Sequence, residues 1–334
     1  MAAKADQQGS LRWGVVGTGW ISSMVVPDLV SCPNVSVELI YSRDITKAQA
    51  FASGVSGARA TNDYEQLLAD PVVDIVYIAT PISTHYELAL QALSAGKHVL
   101  IEKPMAQTAS EVEELFRTAG EKNLFLMEGM WTKFNPAFIR MTQEIASGTI
   151  GEPRSCRGMF GIPLPEENRS RWDVRLSGST LLDQGIYPVT LGHVIFGPPD
   201  SVHAVGTVRP DGLDLAEHFT LEYSDGRFAQ CATSMKEFAD LSGAVNGTKG
   251  WIELPGPFWS TTSLRIHAGS WQNIIHDPTQ VDLPREGNGY IPMLRAVSDA
   301  VRAGLVEHPV HSARDTIMVF RTLDQIQQAI GACR

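Results

Sequence analysis

No stretch of this 334-residue chain comes near the roughly 20 consecutive apolar residues of a membrane span, so none is expected. Positive charge is in short supply: 27 Lys and Arg face 37 Asp and Glu, a net charge of −10. That balance argues against nucleic acid and anionic membranes as partners. Cysteine is scarce as well. Cys32, Cys156, Cys231 and Cys333 have no metal-ligand spacing and demand no disulfide. They read as reduced thiols of a cytoplasmic protein. The polar start, Met1 to Ser10, lacks a signal-peptide core and reads as a flexible tail. There is no internal repeat and no low-complexity tract.

What the first half does contain is an alternation of apolar strands and helix-patterned segments. Strand-like Leu11–Val16 runs directly into Gly17-Thr18-Gly19-Trp20-Ile21-Ser22, with helix pattern to Val30. This is a dinucleotide fingerprint with Ser22 in the place of the third small residue. Gly17 serves the tight turn, Gly19 admits a pyrophosphate, and the helix N-terminus faces the phosphates. Pro27 is expected to disturb that helix. The next strand, Val35–Tyr41, ends at Ser42-Arg43-Asp44. A hydroxyl and a guanidinium suit the 2′-phosphate of NADP, where NAD sites place an acid. Asp44, slightly further on, leaves NAD open.

Val72–Ala79 ends on Thr80-Pro81, and Ser83 reads as the N-cap of a helix starting at His85. Val99–Ile101 has the length of a strand buried on both faces and ends on Glu102-Lys103-Pro104. A Lys at the carboxyl end of a parallel strand stands where open α/β sheets bind ligands. These signals predict an α/β Rossmann domain, a doubly wound parallel sheet, over residues 11–128. The cofactor candidates are Gly17, Thr18, Gly19, Trp20, Ile21, Ser42, Arg43 and Lys103.

Composition then changes. Asn135 and Pro136 start a helix, and beyond Gly151-Glu152-Pro153 short β-like runs with hairpin turns dominate. Residues 129–334 therefore read as an α+β substrate domain with an open, mainly antiparallel sheet. It contains a helical stretch Ser179–Phe196 kinked at Pro188, and its last helix is free to pack back on the first domain. Trp131 offers either core packing or a flat wall for a ring. Within Gly178–Tyr187, Asp183 and Tyr187 are four apart and share a face on a helix. A carboxylate and a phenol can bind and deprotonate an alcohol. A free phenol has a pKa of about 10, and a nearby ammonium favours the phenolate; Lys103 is the candidate donor of that charge. Arg171, Trp172 and Arg175 lie upstream as further anchors.

Taken in order and spacing, Gly17-Thr18-Gly19, Pro81 with His85, Glu102-Lys103-Pro104 and Gly178 through Tyr187 resemble the glucose–fructose oxidoreductase/inositol dehydrogenase (Gfo/Idh/MocA) family. Tyr187, where many members have His, and Glu128 with Trp131-Thr132-Lys133-Phe134 are most similar to its trans-dihydrodiol and NADP-linked D-xylose dehydrogenase branch. The resemblance implies hydride transfer between NADP and a secondary alcohol or carbonyl of a sugar or diol. It implies Tyr187 as acid/base with Lys103 assisting near the nicotinamide and Asp183 orienting. It adds Thr80, Pro81, His85 and Glu102 to the cofactor candidates. It places Glu128, Trp131, Arg171, Trp172 and Arg175 with the substrate, and implies a homodimer through the C-terminal sheet. No metal is called for. A keto-sugar or dicarbonyl reductase, and a non-catalytic dinucleotide-binding regulator, are the alternatives.

Overall fold

The computed structural model describes residues 9–167 and 169–331. Most of the expected N-terminal tail, residues 1–8, lies outside them, as does Cys333. Two compact units form. One comprises the chain to Ala106, Ser110–Trp131 and Glu286–Ala313; the other comprises Gln107–Ala109, Thr132–Arg285 and Arg314 onward.

In the first unit, strands β1 (Leu11–Val16), β2 (Val35–Tyr41), β3 (Arg59–Thr61), β4 (Ile75–Ile78), β5 (His98–Glu102) and β6 (Leu126–Gly129) make one sheet in the order β3-β2-β1-β4-β5-β6. All neighbours are parallel. This is the Rossmann order, with its switch point between β1 and β4. Every side chain of β4 is buried, as a strand covered on both faces requires. The crossovers are α1 (Trp20–Ser31), α2 (Ile45–Ala52), α3 (Tyr64–Ala69), α4 (His85–Ser94) and α5 (Ala109–Lys122). Asp44 and Asp63 cap α2 and α3 by accepting backbone N–H groups of their first turns.

Two local expectations need correction. Pro27 lies inside α1 without ending it. Ser83 is not a cap: Ile82–Thr84 form a 3₁₀ turn, and the Thr84 hydroxyl donates to Thr80 Oγ1 and the Pro81 carbonyl.

The second unit opens with α6 (Pro136–Ala146), capped by Asn135, whose side chain accepts from the Ala137 and Phe138 N–H groups. Then follow β7 (Pro153–Gly161), the single turn α7 (Arg169–Trp172), a π turn Leu181–Gly185 and α8 (Ile186–Phe196). Strands β8 (Ser201–Val208), β9 (Asp214–Glu222), β10 (Phe228–Ser234), β11 (Gly243–Gly247), β12 (Gly250–Leu254) and β13 (Ser263–Ala268) come next, then α9 (Trp271–Ile275) and β14 (Thr279–Asp282). The sheet order is β14-β13-β12-β11-β7-β10-β9-β8. Its neighbours are antiparallel except β7 and β10, which run parallel.

Residues Ile186 to Gly192 of α8 are all buried, because this helix lies on the sheet at β7 and β10. The irregularity expected at Pro188 comes earlier, in the π turn; Pro188 falls in the first turn of α8, where its missing N–H is no loss. Strand β14 is short, polar and at the edge, so no apolar alternation marks it.

The segment after Arg285 belongs to the first unit. There α10 (Ile291–Arg302) packs on α1. The buried Asp28 of α1 accepts the N–H of Asn288 at 2.8 Å and of Tyr290 at 2.9 Å. The final helix, α11 (Ala313–Ile330), lies in the second unit from Arg314 on. Among the described residues no helix is long and apolar enough to cross a membrane.

Gly17 has φ +110°, and a Cβ there would stand 2.5 Å from the Ala79 carbonyl oxygen. Gly17→Ala should therefore cost about 1–3 kcal/mol in unfolding free energy. Urea unfolding measures it; an unshifted midpoint would refute this turn geometry.

Candidate active site

The cradle of the first unit is built where β1 meets α1. The Gly17 N–H donates to the Tyr41 carbonyl at 2.9 Å, and the fully buried Ser22 donates its hydroxyl to the Gly17 carbonyl at 2.9 Å. Ser22 thus ties the helix to the turn as well as fitting it. Gly19 stands at the N-cap with no side chain capping α1 and no acid in the first turn. A Cβ on Gly19 would meet nothing within 4 Å. Free N–H groups, positive dipole and open space suit a pyrophosphate. Trp20 is 71% exposed beside this opening.

At the end of β2, Ser42 is half-buried and Arg43 is exposed. Among the described residues Arg43 makes no hydrogen bond or ion pair. Asp44, the nearest acid, accepts the N–H groups of Thr46 and Lys47 as the cap of α2. These residues fit a dinucleotide carrying a 2′-phosphate.

Lys103 is half-buried at the end of β5, and its peptide bond to Pro104 is cis. The loop that carries it is held at three points. Its own N–H reaches Glu102 Oε2 at 3.3 Å, His85 Nδ1 lies 2.9 Å from the Pro104 carbonyl, and the Met105 N–H donates to Glu128 Oε1 at 3.0 Å. His85 is buried and its other nitrogen sits 2.8 Å from the Thr80 carbonyl. It joins the loops after β4 and β5 through Thr80 and Pro104. Glu128 is fully buried, with Oε2 3.0 Å from His311 Nε2, and serves the framework of this loop. Glu102 is also buried and accepts the Tyr77 hydroxyl at 2.7 Å. Burial pushes its carboxyl up to about 7, against the pull of Tyr77 and the Lys103 charge. Trp131 is buried and stacks on Tyr290 with ring centroids 4.5 Å apart.

In the second unit, Asp183 sits in the π turn and Tyr187 one residue into α8. Arg171 grips Asp183 with two nitrogens, Nε at 2.5 Å and Nη2 at 3.2 Å from its oxygens. Asp183 first, and Tyr187 after it, hold the Arg171 guanidinium charged against its burial. Gly178 permits this approach, since any Cβ there would collide with the Arg171 carbonyl. Tyr187 is 5% exposed and its ring lies 5.7 Å from those of Phe160 and Trp259, which stack on each other at 3.6 Å. Asp183, Tyr187 and Arg171 are therefore together.

Arg175 and Trp172 are not with them. Arg175 is exposed and engaged by Asp173 at 2.7 Å. With Trp172 it lines an open pocket whose other walls are Glu166, Asp173, Arg209 and Asp211. Phe160 and Trp259 escaped sequence reading. The only trace was Phe258-Trp259 after a Gly-Pro turn, which does not say which ring it will meet. Among the described residues no group of His, Cys, Asp or Glu could hold a metal, and Cys32, Cys156 and Cys231 are buried free thiols.

Geometry and fold define a class, the oxidoreductases that work on a bound dinucleotide. Residues 11–130 match the model of an oxidoreductase family with an NAD-binding Rossmann fold, and residues 138–253 match the GFO/IDH/MocA C-terminal domain. The chain is 32% identical to the trans-1,2-dihydrobenzene-1,2-diol dehydrogenase of Xenopus tropicalis, covering 96% of this chain and 98% of that one. It is 32% identical to the enzyme of that name from Homo sapiens, covering 96% and 97%. A 3-ketoreductase from Actinomadura kijaniata, solved in complex with NADP and TDP-benzene, superposes with a TM-score of 0.87 at 27% identity, over 96% of this chain and 98% of that one. The chain belongs to the Gfo/Idh/MocA family and is an oxidoreductase.

Between pH 4.5 and about 7 the folded protein keeps a proton on Glu102 that the unfolded chain has released. Its contribution is present below pH 4.5 and is lost as pH rises through 7, at most about 3 kcal/mol. Glu102→Gln should abolish that fall: its urea midpoint gains on the native one between pH 5 and pH 8. Parallel pH slopes would show an ordinary carboxyl.

Proposed function

We propose that this oxidoreductase transfers a hydride between NADP and a secondary alcohol, or the matching carbonyl, of a sugar or vicinal diol. The observation that carries the reading is Tyr187, a buried phenol beside the Arg171–Asp183 pair and two stacked aromatic rings. When bound, the nicotinamide supplies or accepts the hydride at C4. The protein does the rest. Tyr187 takes the hydroxyl proton in oxidation and returns it in reduction. The Arg171 guanidinium lies near enough to the phenol for their charges to couple, and Lys103 has the assisting role implied by the family. Asp183, oriented by Arg171, accepts a second substrate hydroxyl. Phe160 and Trp259 offer an apolar wall to a ring.

The cradle Gly17–Ile21 is assigned to the pyrophosphate, and Ser42 with Arg43 to the 2′-phosphate; Lys103 is assigned to the nicotinamide side by family likeness. The unengaged Arg43 and the engagement of Asp44 as a cap support NADP over NAD. A keto-sugar reductase is the second reading. It is favoured by the likeness to the ketoreductase, and the same groups serve both directions. Val205 and Phe228, exposed on one face of the eight-stranded sheet, support pairing of two chains there.

Tyr187→Phe should lower turnover about 10²–10⁴-fold with NADPH still bound, followed by cofactor absorbance over a panel of sugars, diols and their ketones. Near-native turnover ends the assignment of Tyr187. Arg43→Ala should weaken NADP binding far more than NAD binding by titration; equal losses would remove Arg43 as a phosphate contact.

A further inference from the structure

The π turn Leu181–Gly185, which carries Asp183 and leads into Tyr187, has an unusual support. Thr180 at its N-cap makes no side-chain capping bond. The support comes instead from β9. Asp214 Oδ2 accepts the Leu181 N–H at 2.7 Å and the Ser179 hydroxyl at 3.0 Å. Ser179 Oγ in turn accepts the Leu182 N–H at 3.0 Å, and the Thr180 hydroxyl donates to the Asp214 carbonyl at 3.0 Å. Asp214, Ser179 and Thr180 are all buried. A π turn is rare and gains little from its own backbone geometry, so a remote carboxylate that satisfies its leading N–H groups decides whether it forms.

Asp214 reaches the turn because β9 carries a bulge. Thr207 of β8 pairs with Ala216, but the next residue, Val208, pairs with Asp214, leaving Leu215 as the extra residue. In a regular strand Asp214 and Glu217, three apart, would face opposite sides; the bulge lets both point inward. Glu217 is fully buried and accepts the Thr233 hydroxyl. Burial and the neighbouring Asp214 charge push its carboxyl well above the usual range. The charged form of Glu217 is thus disfavoured where it lies beside Asp214.

We propose that Asp214 is a positioning residue: through Ser179 and Leu181 it fixes the π turn that sets Asp183 and Tyr187 beside Arg171. This rests on the reading of Tyr187 as acid/base. Two readouts test it. In Asp214→Asn, hydrogen exchange over residues 179–187 should quicken at least about tenfold while β7, β10 and β11 stay protected. Its kcat per folded molecule should fall about 10²-fold with NADPH affinity unchanged. Ser179→Ala, a milder change that keeps the Leu181 bond, should move both in the same direction by less. A variant Asp214→Asn with native exchange in this segment, or with native kcat and only a lower melting temperature, overturns the proposal. Should the native protein turn over no alcohol or carbonyl at all, the Tyr187 reading fails, and exchange alone still decides whether Asp214 anchors the turn.

Discussion

A carboxylate withdrawn from water must be met by donors or give up its charge. This protein meets several of its acids with N–H groups from distant parts of the chain. Asp74 takes the backbone of Arg12, Asp28 that of Asn288 and Tyr290, Glu128 that of Met105, and Asp214 that of Leu181. Each bond fastens a loop or helix end to a strand or helix it does not follow in sequence. Glu102 and Glu217 accept side-chain hydroxyls, and there the charge itself is disfavoured. Removing a donor from the first group would leave a polar group short of its partner, a loss of about 1–3 kcal/mol where the site is buried.

The same rule shapes the chemistry. The loop bearing Lys103 is short and would wander if left to its own turn propensities. His85, Glu128 and Glu102 hold its backbone from three sides. In the other unit the ion pair of Arg171 and Asp183 does the equivalent for the phenol, with Gly178 clearing the path.

How far the sequence could be read follows from the range of the forces involved. The Rossmann sheet was legible because its strands are continuous apolar runs and its first turn needs glycine at Gly17, both local facts. The cap Asn135 is local too. Ser83 misled because a 3₁₀ turn intervenes, and Pro188 because the irregularity lies in the turn before it. A motif shows which residue types recur, not which way a side chain points: Glu128 and His85 turn inward and hold backbone. Arg171 beside Asp183 was suggested by proximity in sequence, but Arg175, four residues on, was suggested equally and goes elsewhere. The Phe160–Trp259 stack joins residues about a hundred apart, and no local pattern announces such a pairing.

The seating of α10 on α1 bears on how the chain is made. The ribosome delivers all six strands of the first sheet once Gly129 has emerged, yet Asn288 and Tyr290 are still some 160 residues away, on the order of 10–30 s of synthesis. Throughout that interval Asp28 has no backbone to hold and one side of α1 stands bare. A fragment cut after β6 would be frozen in this unfinished condition, whereas a circular permutant that begins at Glu286 would supply the missing cover first.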